Sequence, residues 1–199
     1  TTPYDTNVTF SADGNDTDID GYVVGATIDL DPSTPAIDNT YTDVSGNVWT
    51  VDTDGNVTFN PSPTFVGTAT IPYTIQDNGG ATSNQANLSV TVSNPTCDDA
   101  IDNGMDVCAF LAANPSHPFG ALDCDGDGVN NLTECNNSDD PVDPCSPTQV
   151  AGYTGYNAAN AVWQAADCDG DGVTNGTEEP DTDPYDPCDY NALDQIVSL

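Results

Sequence analysis

Apolar and polar residues alternate through the N-terminal half of the chain. Val57 and Phe59, then Ile71, Tyr73 and Ile75, then Leu88, Val90 and Val92 fall at every second position, so each run turns its apolar groups to one face of an extended strand. Strands are predicted near 7–10, 21–30, 40–45, 48–52, 56–60, 68–76 and 85–93. Asp54-Gly55, between Trp49-Thr50-Val51 and Val57-Thr58-Phe59, is a hairpin signal, and Pro61, Pro63, Gly67 and Asn78-Gly79-Gly80 mark further turns. Short half-buried strands in this number fit an antiparallel sandwich.

The alternation stops at Pro95-Thr96-Cys97, which divides the chain into 1–94 and 95–199. Beyond it the sequence repeats. Asp123-Cys124-Asp125-Gly126-Asp127-Gly128-Val129 returns 44 residues later as Asp167-Cys168-Asp169-Gly170-Asp171-Gly172-Val173, and each copy has a Glu at its twelfth position, Glu134 and Glu178. Carboxylates at positions 1, 3 and 5, a Gly for the sharp turn, the backbone carbonyl of Val129 or Val173 and a terminal Glu are the parts of a calcium loop. Four acids in one loop repel one another, and a divalent cation relieves that repulsion. Ca²⁺ is therefore the expected cofactor, held in two separate cages. Only short helical turns are expected, over 105–113 and 158–166, with Phe110, Leu111 and Trp163 as apolar anchors. With no long helix beside either loop, a helix-loop-helix hand that opens on calcium is not expected. The predicted fold class is all-β: an antiparallel β-sandwich followed by a loop-rich, disulfide-bonded calcium-binding region.

Composition sharpens this. The chain has 33 Asp and Glu and no Lys or Arg, a formal charge of −33. Nothing can pair with a phosphate, so nucleic acid and anionic lipid surfaces are excluded as partners, and no long apolar run supports membrane insertion. Seven Cys, all at or after Cys97, indicate disulfides and an oxidising extracellular setting, for a processed secreted chain or a segment of one. Their pairing stays open. One scheme joins Cys108 to Cys124, Cys145 to Cys168 and Cys97 to Cys135; a rival joins Cys124 to Cys145 and Cys168 to Cys188. One thiol is left over in either.

Other features read as plain structure. Asp16-Thr17-Asp18-Ile19-Asp20-Gly21 shares the first half of the calcium pattern but has Thr27 where the Glu belongs, so it reads as a turn. His117, between Ser116 and Pro118, reads as a loop residue. With no Lys or Arg and a single His, neither a catalytic triad nor a phosphate clamp can be assembled, and no enzymatic activity is expected. Asn7, Asn15, Asn56, Asn87, Asn131, Asn136 and Asn175 each begin an Asn-x-Ser/Thr triplet, a candidate site for glycan modification.

Two resemblances add to the reading. Asn15 to Gly21, Asp29-Leu30-Asp31-Pro32, Trp49-Thr50-Val51-Asp52, Gly55-Asn56-Val57-Thr58-Phe59-Asn60-Pro61, Phe65-Val66-Gly67-Thr68-Ala69 and Tyr73 to Gly80 together resemble the CshA-type fibril repeat of bacterial surface adhesins. That resemblance implies a sandwich module strung along an extracellular fibril. The second half, with each loop followed by an acidic Pro-rich tail ending Asp143-Pro144-Cys145 or Asp186-Pro187-Cys188, is similar to thrombospondin type 3 calcium repeats. This implies that Asp139, Asp143, Asp181, Asp183 and Asp186 complete a ligand set or hold a second ion. The expected function is a structural subunit of a fibril that polymerises head to tail as a homopolymer. The alternative is a calcium-dependent adhesin module that binds glycan or a host protein. For the apolar C-terminal series Leu193, Ile196, Val197 and Leu199, docking on the sandwich of a neighbouring copy is expected, the alternative being a frayed terminus or the cut edge of a longer repeat array.

Overall fold

The computed structural model describes residues 1–178 and 182–188. Two compact units divide the chain, Thr1–Pro95 and Thr96–Leu199.

The first unit is a sandwich of two antiparallel sheets. Strands β1 (Val8–Ser11), β5 (Asn56–Asn60), β4 (Val48–Val51) and β3 (Thr40–Thr42) form one sheet in that spatial order, and β2 (Val23–Asp29), β6 (Gly67–Asp77) and β7 (Ala86–Val92) form the other. Each strand falls where the alternation predicts one. The period-two pattern sends Ala69, Ile71, Tyr73 and Ile75 of β6 and Leu88, Val90 and Val92 of β7 inward, to meet Ile28, Leu30, Trp49, Val57 and Phe59. Trp49 and Phe59, paired across the β4–β5 hairpin, set their rings edge to face with centroids 4.5 Å apart. The opposite faces carry hydroxyl pairs, Thr9 with Thr58 at 2.8 Å, Thr68 with Thr91 at 2.8 Å and Thr70 with Ser89 at 2.9 Å.

The acids of this unit work chiefly as turn locks. Asp43 Oδ1 accepts the N–H groups of Ser45 and Asn47, Asp52 Oδ1 those of Asp54 and Asn56, and Asp77 Oδ1 those of Gly79 and Ala81. The residue just before the end of each turn is Gly46, Gly55 or Gly80, with φ of +82°, +81° and +87°, a left-handed backbone that costs Gly nothing sterically. The hydrogen bonds to Asp52, those from Asn56 foremost, hold its carboxyl below the usual carboxylate range. Asp16 accepts the Tyr73 hydroxyl at 3.0 Å, and the 16–21 run gathers no metal-holding group.

The second unit corrects the all-β expectation. It is built of short helices and loops: α1 (Cys97–Ile101), α2 (Val107–Ala113), a 3-10 turn (Pro118–Ala121), α3 (Asn131–Asn137), α4 (Ala161–Ala165) and α5 (Asn175–Glu178). α2 and α4 lie within the two predicted helical turns. Local capping starts α1 and α3: Thr96 and Asp99 form a capping box on α1, and Asn130 Oδ1 accepts the Thr133 N–H at the start of α3. His117 caps the 3-10 turn, its Nδ1 accepting the Phe119 N–H at 3.2 Å. The three anchors Phe110, Leu111 and Trp163 are buried.

Three disulfides tie this unit together: Cys97–Cys124, Cys108–Cys135 and Cys145–Cys168. The first scheme is right for Cys145–Cys168 and crosses the other two pairs; the rival scheme is wrong throughout. The physical reason is helix packing. α2 lies on α3, which brings Cys108 against Cys135 with Cα atoms 5.3 Å apart and leaves Cys124 to Cys97. Closing a 27-residue span restricts the unfolded chain by about 3–4 kcal/mol in the chain-entropy account. Cys188 is exposed and unbonded. Asp181 and the series Leu193 to Leu199 lie outside the described residues, so the tail-docking expectation finds no account here.

Candidate metal centres

The two loops are built alike, atom for atom. In the first, Asp123 accepts the Gly126 N–H at 2.7 Å and the Gly128 N–H at 3.1 Å, Asp125 Oδ1 the Asp127 N–H at 3.3 Å, and Asp127 Oδ1 the Val129 N–H at 2.7 Å. In the second, Asp167 accepts from Gly170 at 2.8 Å and Gly172 at 3.1 Å, Asp169 Oδ1 from Asp171 at 3.1 Å, and Asp171 Oδ1 from Val173 at 2.8 Å. One oxygen of Asp125, Asp127, Asp169 and Asp171 is thereby spent on the loop's own backbone, which fixes the direction of the other. Ligand atoms of Asp123, Asp125 and Asp127 lie within 4.8 Å of one another, as do those of Asp167, Asp169 and Asp171.

Glu134 and Glu178 are not among these two converging three-acid groups, but each feels the charge of the Asp residues of its loop. Each sits on the short helix that leaves its loop, α3 or α5, and each is almost wholly buried, 0% and 1% exposed. Among the described residues, both carboxylate oxygens of Glu134 and Glu178 are buried without a hydrogen-bond partner, and so are Asp125 Oδ2, Asp169 Oδ2 and Asp171 Oδ2. Buried polar groups are otherwise nearly always paired, and a buried unpaired charge is costly. Burial, reinforced by Asp125, Asp127, Asp123 and Asp139, pushes the Glu134 carboxyl up to about 9. Burial, with Asp169, Asp171, Asp167 and Asp183, pushes Glu178 up to about 8, and burial above all raises Asp125 to about 7. Each group of unpartnered oxygens thus calls for a cation or for protons.

The donors fit a hard divalent cation. The grouped donors are carboxylate oxygens, and the only sulfurs in the loops, those of Cys124 and Cys168, are locked in disulfides. Oxygen donors with a two-oxygen Glu at the end suit calcium, whereas zinc favours thiolate and imidazole. Asp139 and Asp183, sixteen positions after the first Asp of each loop, bring their charge to Glu134 and Glu178 respectively.

Several residues that matter here carry no obvious sign in the sequence. Asn131 is buried and turned inward: its Oδ1 accepts the Cys124 N–H at 3.3 Å and its Nδ2 donates to the Phe119 carbonyl at 3.0 Å. Asn175 repeats the arrangement on Cys168 N–H at 3.1 Å. Both amides are buried in the folded chain. The shared spacing from the loop start was the available signal. A second group is aromatic. Tyr156 stacks on Trp163 with centroids 4.2 Å apart, Trp163 donates its Nε1–H to the Tyr185 hydroxyl at 2.9 Å, and Tyr153 meets the Tyr185 ring at 5.9 Å. Trp163 was an expected anchor; Tyr153, Tyr156 and Tyr185 come from positions with no common period, so no pattern announces them.

Fold and sites together define an antiparallel Ig-like sandwich joined to a small disulfide-bonded unit that carries two acidic loops. Residues 1–91 match the family model of the bacterial Ig domain. No curated protein and no solved structure matches the chain. The Ig-type match over residues 1–91 and the three disulfides point to an extracellular or surface protein. No helix among the described residues is long and apolar enough to cross a membrane.

Proposed function

We propose that this protein is a non-enzymatic structural module of an extracellular bacterial fibril, stiffened by calcium in its second unit. Asp123, Asp125, Asp127, the Val129 carbonyl and Glu134 hold one ion; Asp167, Asp169, Asp171, the Val173 carbonyl and Glu178 hold the other. Asp139 and Asp183 supply further negative charge to each set. The bound ion neutralises carboxylates that the fold has already removed from water, while the residues themselves fix the loops through their backbone hydrogen bonds. The observation that carries this reading is the burial, without partners, of both oxygens of Glu134 and Glu178. In the fibril the sandwich is the repeating shaft element and the loop unit is a rigid connector.

Two measurements test the two levels of this reading. Calorimetric titration with Ca²⁺ is expected to show saturable binding that is lost when Glu134→Gln and Glu178→Gln are combined. A flat titration of the unaltered protein would remove calcium from the account. Negative-stain microscopy of a native preparation is expected to show regular filaments, and a uniform population of monomers would retire the fibril in favour of an adhesin module.

A further inference from the structure

The two loops differ in what covers them. Over the first, the Asn157 N–H donates to the Gly126 carbonyl at 2.7 Å, Asn160 Nδ2 donates to the Cys124 carbonyl at 3.0 Å and Gln149 Nε2 approaches Asp127 Oδ2 at 3.4 Å. The fit is tight. A Cβ at Gly126 would lie 2.4 Å from the Asn160 Cβ, and one at Gly128 would lie 2.2 Å from the Gly155 carbonyl oxygen. Asp125 and Asp127 are fully buried as a result, whereas Asp169 and Asp171 remain partly open and Gly170 and Gly172 meet no described residue within 4 Å.

The segment that covers loop 1 is also anchored to loop 2. Asn160 Oδ1 caps α4 by accepting the Val162 and Trp163 N–H groups at 2.8 and 3.2 Å. Trp163 on that helix holds the Tyr185 hydroxyl, and the Tyr185 N–H donates to Asp183 Oδ1 at 3.1 Å. Asp183 Oδ2 in turn accepts the Gly152 N–H at 2.5 Å, while its charge reaches Glu178. At the far end of α4 the Asn175 N–H donates to the Ala166 carbonyl at 2.7 Å, and Asn175 holds the Cys168 N–H of loop 2. One continuous chain of hydrogen bonds and stacked rings therefore runs from the Gly126 and Cys124 carbonyls to the second loop.

We propose that Asn160 and Tyr185 are positioning residues that couple the two loops, so that calcium in one tightens the binding of calcium in the other. This rests on the reading that both loops hold calcium. An ion at loop 2 orders Asp183 and with it Tyr185, Trp163 and Asn160, and the cover of loop 1 is then already in place when the second ion arrives. The ordering cost of the shared segment is met once, which is positive cooperativity without a large change of shape. Coupling of this kind is reciprocal and typically about five-fold or more in affinity.

Calorimetry with Ca²⁺ on the whole chain decides it. The dissociation constant of loop 1 is measured in Glu178→Gln and that of loop 2 in Glu134→Gln. Their product is expected to exceed the product of the two constants in the unaltered protein by about five-fold or more. Equal products would overturn the coupling while leaving calcium binding intact; absence of binding in the unaltered protein would overturn both. Where a Glu variant folds poorly, Asn160→Ser and Tyr185→Phe give the answer, because both keep all proposed ligands. Ser retains the helix cap and loses the reach to the Cys124 carbonyl, and Phe keeps the ring and loses the hydroxyl. Each is expected to bring the Hill slope of the titration down to about one from a higher unaltered value, with both ions still bound. A slope unchanged in both variants sinks the proposal.

Discussion

At the scale of single residues, the most consequential side chains are the two that end the loops. With no cation bound, the folded form prefers Glu134 and Glu178 protonated, since burial lifts them from an ordinary value of 4.5 to about 9 and about 8. A group raised on folding contributes stability that is complete below its unfolded value and is lost as pH climbs through its folded value. In chelator, then, the second unit should melt highest near pH 4.5 and lose stability steadily toward pH 9; in excess calcium that decline should vanish. Melting curves followed by circular dichroism at several pH values check this, and a chelated protein whose stability rises over that window contradicts it. Asn131 offers a test independent of the ion. Asn131→Ala strips partners from the Cys124 N–H and the Phe119 carbonyl in the interior, which typically costs about 1–3 kcal/mol. The loss should appear as a lower melting temperature even at saturating calcium. The acid pattern of the loops was fully legible in the sequence. The role of Asn131 was not, because an Asn beside a Thr two positions on advertises a glycan triplet and says nothing of burial.

Among the described elements, the strands were readable and three of the five α-helices were not, for one physical reason. Strand alternation reflects a repeated choice between core and solvent, written into every second residue of β4 to β7. α3 and α5 have no such period: Asn131-Leu132-Thr133-Glu134-Cys135-Asn136-Asn137 and Asn175-Gly176-Thr177-Glu178 are poor intrinsic helix formers that follow directly on the loops, α3 with Asn130 as its cap. The disulfide pairing was equally hidden, since it depends on how α2 lies against α3. The loops themselves allow a matched comparison. Gly126 and Gly170 both have positive φ, +88° and +76°, so a Cβ costs each roughly 1–2 kcal/mol in backbone strain. Only at Gly126 does it also collide with the Asn160 Cβ. Gly126→Ala should therefore lower the melting temperature of the second unit clearly more than Gly170→Ala does. Equal shifts would show that the Asn157–Asn160 cover contributes little.

For the whole molecule, the division of labour predicts unequal responses to chelation. The sandwich closes its core with Trp49, Phe59 and their neighbours and locks its turns with Asp43, Asp52 and Asp77, none of which needs an ion. The second unit has its three disulfides and, in the proposed function, bound calcium. A ligand at a hundredfold excess over its dissociation constant adds about 2.7 kcal/mol per site by mass action. EDTA should accordingly lower the melting transition of 96–199 by many degrees and leave that of 1–95 in place, as two transitions in calorimetry would report. A single transition shifting as one body would show that the units do not melt independently. The −33 charge acts at the same scale. With no Lys or Arg to offset it, neighbouring copies repel, and divalent cations are expected to promote assembly more effectively than monovalent salt at equal ionic strength. Light scattering against either salt would measure the difference.

The inward turn of Asn131 and Asn175 also limits where this protein can be made. A cell that attaches sugars to Asn-x-Thr while the chain is still entering its secretory lumen would modify these amides before the loops had closed around them. A sugar-bearing Asn131 cannot reach the Cys124 N–H or the Phe119 carbonyl, so the cysteine beside the first acid would be left without its guide toward Cys97. Eukaryotic secretion should thus yield mispaired, poorly folded material, and replacing Thr133 and Thr177 by Val should rescue it. A bacterial envelope without that transferase supplies the oxidation and spares the loops.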